Sequence, residues 1–482
     1  MCPKAKSAFV EGRTFLSALQ VSPQVNTLQT TTMNPQIFRE YDIRGVIGVD
    51  LTREVVRDLG RGIGSYLLRQ GAVLIALGRD GRESSPEIRE HLRDGLRSTG
   101  LNVVDLGLAP TPLTYYATHV LDVGGSIMIT GSHNPPEFNG FKICLGHEAI
   151  YGTEIHNIRK IIESGKFAAG TGAYNEYDLI PEYISDLTNR LHLARPVKVA
   201  VDCGNGVGGL TSRTIFTRLG CQPEMLFEEV DGKFPNHHPD PTVEKNLVDL
   251  KKAVTDGGLE LGIAFDGDAD RIGVVDEKGG VLWGDQILAI LARDLLIENP
   301  GSTIIGEVKC SQLFFDDVEK HGGEALMWKV GHSLIKSKMS ETGALLAGEM
   351  SGHIFYKHRY YGFDDAVYVA GRLLEIVSRS NKPVSRFLED WPKLYNTPEI
   401  RVACADEIKF AVVEQIRDKF RTKYQVVDVD GMRVITPGGW GLLRASNTQP
   451  VVVMRFEAES PGRLREIQQE VESALHEATG SR

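Results

Sequence analysis

Three aspartates at alternate positions, Asp266, Asp268 and Asp270, follow an apolar run (Leu261 to Phe265) in the segment FDGDADR. Carboxylates about 4 Å apart repel by roughly 4 kcal/mol per pair at an effective dielectric near 20. Three on one loop therefore require a cation, and an all-oxygen donor set suits Mg²⁺ or Ca²⁺. Counted from Asp266, the spacing approaches a calcium-binding loop of the helix–loop–helix kind, with Glu277 at the twelfth place. It fails at the sixth place, where the sharp turn needs glycine and the sequence has Arg271. Strands rather than helices also flank it. A guanidinium beside a metal site fits a phosphate that faces the metal as well.

The segment TGSHNPPEFNG, Thr130 to Gly140, follows a second apolar strand (Ser126 to Ile129). Its Asn-Pro-Pro turn leaves few degrees of freedom, so Ser132 is held as one presented hydroxyl. It is a candidate nucleophile or phosphate carrier, with His133 and Lys142 within reach as cations. GEMSGH, Gly348 to His353, offers Glu349, Ser351 and His353 on a glycine-flanked loop, able to bond adjacent sugar hydroxyls. RASNTQP, Arg444 to Pro450, brings Arg444, Ser446, Asn447 and Thr448 within five positions, and with turn amides they can form an anion nest. GNGVGG, Gly204 to Gly209, matches G-x-G-x-x-G, but nothing singles out the ribose-binding acid that dinucleotide binding needs. We read it as a tight strand-to-helix turn.

The elements that position these loops follow an α/β pattern of short β-rich runs, glycine or acidic turns, and amphipathic helices. Val73 to Leu77, Val197 to Val201 and Thr303 to Ile305 each run into such a turn. Their spacing of about 110 residues hints at three similarly built domains. Thr52 and Ser460 read as helix N-caps, the second followed by Pro461. After Asn396-Thr397-Pro398 the pattern changes to strands at Val426 to Val429, Met432 to Ile435 and Val451 to Phe456 between helices. The expected fold class is three similar mixed α/β domains plus a smaller C-terminal α+β domain around a central cleft. We place the domains at residues 34–178, 179–281, 282–395 and 396–482. Residues 1–33 read as a disordered tail, with Met33 a candidate start and a transit peptide the alternative.

The chain has 482 residues, 41% hydrophobic and 24% charged, which excludes wholesale disorder and coiled coil. No apolar run approaches the roughly 20 residues that cross a bilayer. A net charge of −10 gives no basic face for nucleic acid. Six cysteines without Cys-x-x-Cys spacing fit a reducing cytoplasm rather than a disulfide scaffold or a zinc site.

The four chemical segments, in this order and with Tyr41-Asp42-Ile43-Arg44-Gly45 ahead of them, resemble the α-D-phosphohexomutases over nearly the whole chain after Met33. The wording is most similar to the bacterial phosphomannomutase/phosphoglucomutase branch. Gly131 and Met350 stand where phosphoglucosamine mutases usually have alanine and glutamine. The resemblance implies a phosphorylated Ser132, and Mg²⁺ held by the phosphoserine with Asp266, Asp268 and Asp270. It makes Glu349 and Ser351 sugar contacts, and Arg444, Ser446, Asn447 and Thr448 the site for the idle phosphate. Tyr41, Arg44, His133, Lys142, Arg271, Lys309, Gly331 and His332 would line the remaining cleft. Ala269 stands where many relatives have glycine.

The expected reaction is reversible conversion of hexose 1-phosphate to hexose 6-phosphate, for mannose, glucose or both, through a 1,6-bisphosphate that also acts as activator. Lys142 is the first candidate base, provided neighbouring cations lower its pKa, and His332 the second. Alternatives are a phosphoglucosamine mutase, a Mg²⁺-dependent sugar phosphatase and a non-catalytic sugar-phosphate sensor. The implied partners are a hexose phosphate, no nucleic acid and no membrane, for a cytoplasmic monomer or homodimer.

Overall fold

The structure is a computed structural model that describes residues 33–447 and 449–480. The tail reading, Met33 aside, and Thr448 therefore lie outside the described residues. Four sheets follow one another along the chain. In the first, Leu74–Arg79 pairs in parallel with Asn102–Leu108 and Gly125–Ile129, and Phe138–Leu145 then runs antiparallel beside Gly125–Ile129. The second repeats the scheme: Val199–Asp202 is parallel to Leu261–Phe265, whose other neighbour Ile272–Asp276 is antiparallel. The third does so again, with Thr303–Glu307 parallel to Leu346–Gly348 and Ile354–Tyr356 antiparallel to the latter. The fourth is wholly antiparallel and packs under the helices Lys409–Arg421 and Pro461–Thr479. Three mixed α/β units and one α+β unit are the expected class.

The repeat is thus real at the level of topology. In each of the first three sheets one loop leaves a parallel strand and returns antiparallel, and these loops are the serine, aspartate and GEMSGH segments. The loop after the neighbouring parallel strand lies alongside it. This puts the chemistry at the carboxyl ends of parallel strands, where open α/β sheets place their ligands. The strands expected at Val73 to Leu77 and Thr303 to Ile305 run two residues further, to Arg79 and Glu307. Glycines read there as turns remain in the ladder because neighbours on both sides continue it, as Gly306 does opposite Met327 and Gly348.

The helix starts follow their caps. Thr52 accepts from the Val55 amide ahead of Arg53–Arg69, and Ser460 accepts from the Arg463 amide. One apolar core runs through the first three units, joining Leu113, Tyr183, Phe216, Ile263, Leu288, Phe314 and Leu373. Burial of that shared core fixes the three chemical loops relative to one another.

Candidate active site

Ser132 sits in the left-handed region, φ 49°, which costs a non-glycine residue about 1–3 kcal/mol unless its surroundings impose it. They do. The Ser132 amide donates to Thr130 Oγ1 at 2.7 Å, and the Ser132 carbonyl accepts from Arg82 Nη2 at 2.8 Å. From across the domain boundary, His238 Nε2 donates to the His133 carbonyl. This conformation aims Ser132 Oγ at the aspartate loop, 2.8 Å from Asp266 Oδ2, and 3.1 Å from His133 Nδ1. Gly267 lets the two loops meet: a Cβ there would lie 2.6 Å from the Ser132 carbonyl oxygen.

Asp266, Asp268 and Asp270 are fully buried, with one carboxylate oxygen of each within 4.8 Å of the others. Thr111 Oγ1 donates to Asp268 Oδ2 at 2.6 Å. Asp268 Oδ1 and Asp270 Oδ1 are buried acceptors without a hydrogen-bond donor. Unsatisfied carboxylate oxygens at zero exposure are costly unless a cation takes them, so the donor set fits a hard divalent metal. Burial, then the charges of Asp268 and Asp270, push the Asp266 carboxyl well above its ordinary range. A metal would supply the missing positive charge and displace that proton.

Lys142 Nζ donates to Asp268 Oδ2 at 2.8 Å and to Asp270. Burial disfavours its ammonium, but the aspartates outweigh burial and hold its pKa above the ordinary lysine value. This corrects the expectation that neighbouring cations lower it. His133 is also corrected: burial, Arg271 and Arg44 press its pKa well below the ordinary value, so it is neutral rather than a cation. His332 is likewise neutral, through burial and Lys336. Its ring stacks 5.7 Å from that of His353. His353 Nε2 accepts from Arg271 Nε at 2.9 Å, so the ring proton is on Nδ1, 3.0 Å from Asp364 Oδ2. Arg271 and His353 are also joined by a backbone bridge that binds the aspartate loop to GEMSGH.

Glu349 is buried and accepts from the Gly331 amide at 2.7 Å, while Ser351 lies half-buried on the same turn. Gly331 must lack a side chain, since a Cβ would fall 2.6 Å from the Tyr41 ring. The Tyr41 hydroxyl donates to the Val330 carbonyl at 2.8 Å and accepts from Asn447 Nδ2 at 2.5 Å. First, third and fourth units therefore meet at one phenol. Arg444 is buried, with Nε 3.0 Å from Asp430. Ser446 Oγ accepts from the Gln449 amide at 3.2 Å, closing the turn around Asn447. Lys309 pairs with Glu399 at 3.3 Å, and Arg44 Nη1 donates to Asn134 on the serine loop at 2.8 Å.

The chain matches the phosphoglucomutase/phosphomannomutase alpha/beta/alpha domains I, II and III over residues 35–169, 181–280 and 283–395. It matches the C-terminal domain of that family over residues 399–474. The chain belongs to the phosphoglucomutase/phosphomannomutase family. It is 46% identical to a phosphomannomutase/phosphoglucomutase of Pseudomonas aeruginosa over 92% of this chain and 96% of that one. It is 44% identical to a phosphoglucomutase of Neisseria meningitidis over 91% and 96% of the two chains. A solved family protein from Burkholderia thailandensis superposes with a TM-score of 0.88 at 44% identity, covering 93% of this chain and 99% of its own.

In this phosphohexomutase the structure brings Ser132, His133, Lys142, Arg271, His353 and the three aspartates into one cluster. Tyr41, Gly331, His332 and Glu349 form a second group, joined to the first through the stacked imidazoles and to Asn447 through the Tyr41 hydroxyl. Residue reading missed Thr111, His238, Asp364 and the pair Asp80–Arg82. The turn after Val73 to Leu77 is legible in the sequence, but nothing in its wording points at a loop fifty residues on. Among the described residues no helix is long and apolar enough to cross a membrane.

Proposed function

We propose that the chain interconverts the 1- and 6-phosphates of mannose and glucose, with Ser132 as phosphoryl carrier. The observation that carries this reading is the Ser132 hydroxyl, 2.8 Å from Asp266 within a buried trio of aspartates. Mg²⁺ held by Asp266, Asp268 and Asp270 with the serine phosphate would neutralise charge on the equatorial oxygens during transfer. Phospho-Ser132 gives its phosphoryl group to the free hydroxyl of a bound hexose monophosphate. The resulting 1,6-bisphosphate, mannose or glucose, turns round and returns its other phosphate to Ser132. A bisphosphate supplied from solution also primes an unphosphorylated serine.

Each side chain has a part in that cycle. Lys142, held charged, and Arg271 stabilise the transferring phosphate. The hydroxyl proton goes to the His332 imidazole rather than to Lys142, since His353 Nε2 is already taken by Arg271. Glu349 and Ser351 bond adjacent sugar hydroxyls in either orientation, because two hydroxyls can exchange places on one pair of partners. Arg444, Ser446, Asn447 and Thr448 hold the idle phosphate, with Lys309, Arg44, Tyr41 and Gly331 lining the path. The four units become a phosphoserine domain (34–178), a metal domain (179–281), a sugar domain (282–395) and a phosphate domain (396–482).

A coupled assay with mannose 1-phosphate, glucose 1-phosphate and glucosamine 1-phosphate, with glucose 1,6-bisphosphate and Mg²⁺ present, tests the reading. Turnover of the first two, and little of the third, is expected. Release of inorganic phosphate in step with substrate loss would make it a phosphatase instead.

A further inference from the structure

We propose that Arg82 is a positioning residue for phosphoryl transfer, its guanidinium gripping the loop that carries Ser132 and fixing the aim of the hydroxyl. The proposal rests on Ser132 being the carrier. Arg82 is fully buried, and its side chain is spent almost wholly on one loop. Nη2 donates to the carbonyls of Ser132 at 2.8 Å and Asn134 at 2.6 Å. Nη1 donates to those of Pro135 at 2.7 Å and Phe138 at 3.1 Å.

The remaining donor fixes the guanidinium itself. Nε bonds Asp80 Oδ2 at 3.2 Å, and that carboxylate also accepts from the Gly131 amide at 3.1 Å and from Ser85 Oγ at 2.6 Å. Phe234, from the second unit, covers the guanidinium with its ring 5.4 Å from Cζ. Gly232 beside it presses on the backbone of Gly81 to Glu83, since a Cβ there would lie 2.5 Å from the Gly81 carbonyl.

An ion pair that only filled the core would have no reason to choose four carbonyls between residues 132 and 138. A planar fork with five donors can hold a curled loop from its concave side. Ser132 stays in a left-handed conformation only while the surroundings over-determine it, and Arg82 and Thr130 tie its two flanking peptide groups. The sugar contact proposed for Glu349 and the phosphate contact proposed for Arg444 lie on other segments. Loosening this one should therefore spare substrate binding and slow the chemical step.

The test is Arg82→Lys, which keeps the charge but loses the fork. Kinetics are measured well below the variant's melting temperature, with intact mass reporting phosphate on Ser132. We expect kcat to fall about 10–100-fold, the scale of an ångström's misplacement of reacting groups, with KM for glucose 1-phosphate within about threefold. A folded variant with kcat within about twofold of the parent would overturn the proposal. So would a loss of kcat no larger than the unfolded fraction. If Arg82→Lys does not fold, Arg82→Gln, which keeps a planar amide donor but loses the five-donor fork, carries the test with the same two outcomes. Ser132→Ala in the same assay separates the layers. Normal turnover there removes the carrier reading and this proposal together, whereas a dead Ser132→Ala beside an unimpaired Arg82→Lys removes the proposal alone.

Discussion

At the scale of single residues, charge rather than residue type assigns roles around Ser132. Lys142 and His133 both flank the serine, yet one is held charged by two aspartates and the other neutral by burial and two arginines. Sequence could supply the residue types but not the sign, because sign depends on neighbours far away along the chain, such as Asp268 for Lys142 and Arg44 for His133. Asp270→Asn should raise the Mg²⁺ concentration for half-maximal activity at least about tenfold, as loss of a metal-site partner commonly does. An unchanged Mg²⁺ titration would take Asp270 out of the metal site. A second residue-level prediction concerns stability. His119 stacks on His147, ring centroids 4.1 Å apart, and burial with the His147 charge lowers its pKa to about 4. An unfolded histidine titrates near 6.5, so the unfolded chain takes up this proton first as pH falls. The stability gained by keeping His119 neutral is present above about pH 6.5 and is lost progressively toward pH 4. His119→Phe should flatten the fall of melting temperature across that window, and an unaltered slope would refute the assignment.

At the scale of elements, three pairs of loops explain what the glycine-rich wording is for. In the first unit the Asp80–Arg82 loop grips the serine loop. In the second, Gly206 lies against the aspartate loop, and the Val207 amide donates to the Gly267 carbonyl at 3.1 Å. In the third, Glu307 accepts the Met350 amide of GEMSGH at 3.1 Å. Each first-strand loop props the chemical loop of its neighbour, so GNGVGG is a prop and not a nucleotide cradle. The four chemical segments, helix caps such as Thr52 and Ser460, and the change of pattern after Pro398 were legible, because each is local. The props were not, because their partners are brought alongside only by strand pairing. Gly267→Ala follows from the same geometry: the added methyl meets the Ser132 carbonyl, and such overpacking costs about 1–3 kcal/mol. We expect a lower melting temperature together with a kcat loss larger than the unfolded fraction explains. A variant melting normally with full activity would show that the two loops do not bear on each other.

At the scale of the whole molecule, the shared core joins three units, while the fourth keeps its own core and meets them partly through polar contacts. The Tyr41 hydroxyl bonds both Val330 and Asn447, so one phenol links the first unit to the third and the fourth. Tyr41→Phe should loosen that tie without unfolding the chain. A larger radius of gyration by small-angle scattering and a higher KM for sugar phosphate are expected; identical scattering and KM would mean the contact holds nothing closed.

The most direct measurement follows the phosphoryl group itself. Enzyme labelled with ³²P by glucose 1,6-bisphosphate is freed of ligand and mixed with unlabelled glucose 1-phosphate, and products are quenched and separated over time. The label should map to Ser132, leave it at the rate of turnover, and emerge in hexose bisphosphate and then hexose 6-phosphate. Label found on another residue, or released as inorganic phosphate while isomerisation proceeds unlabelled, would contradict the account.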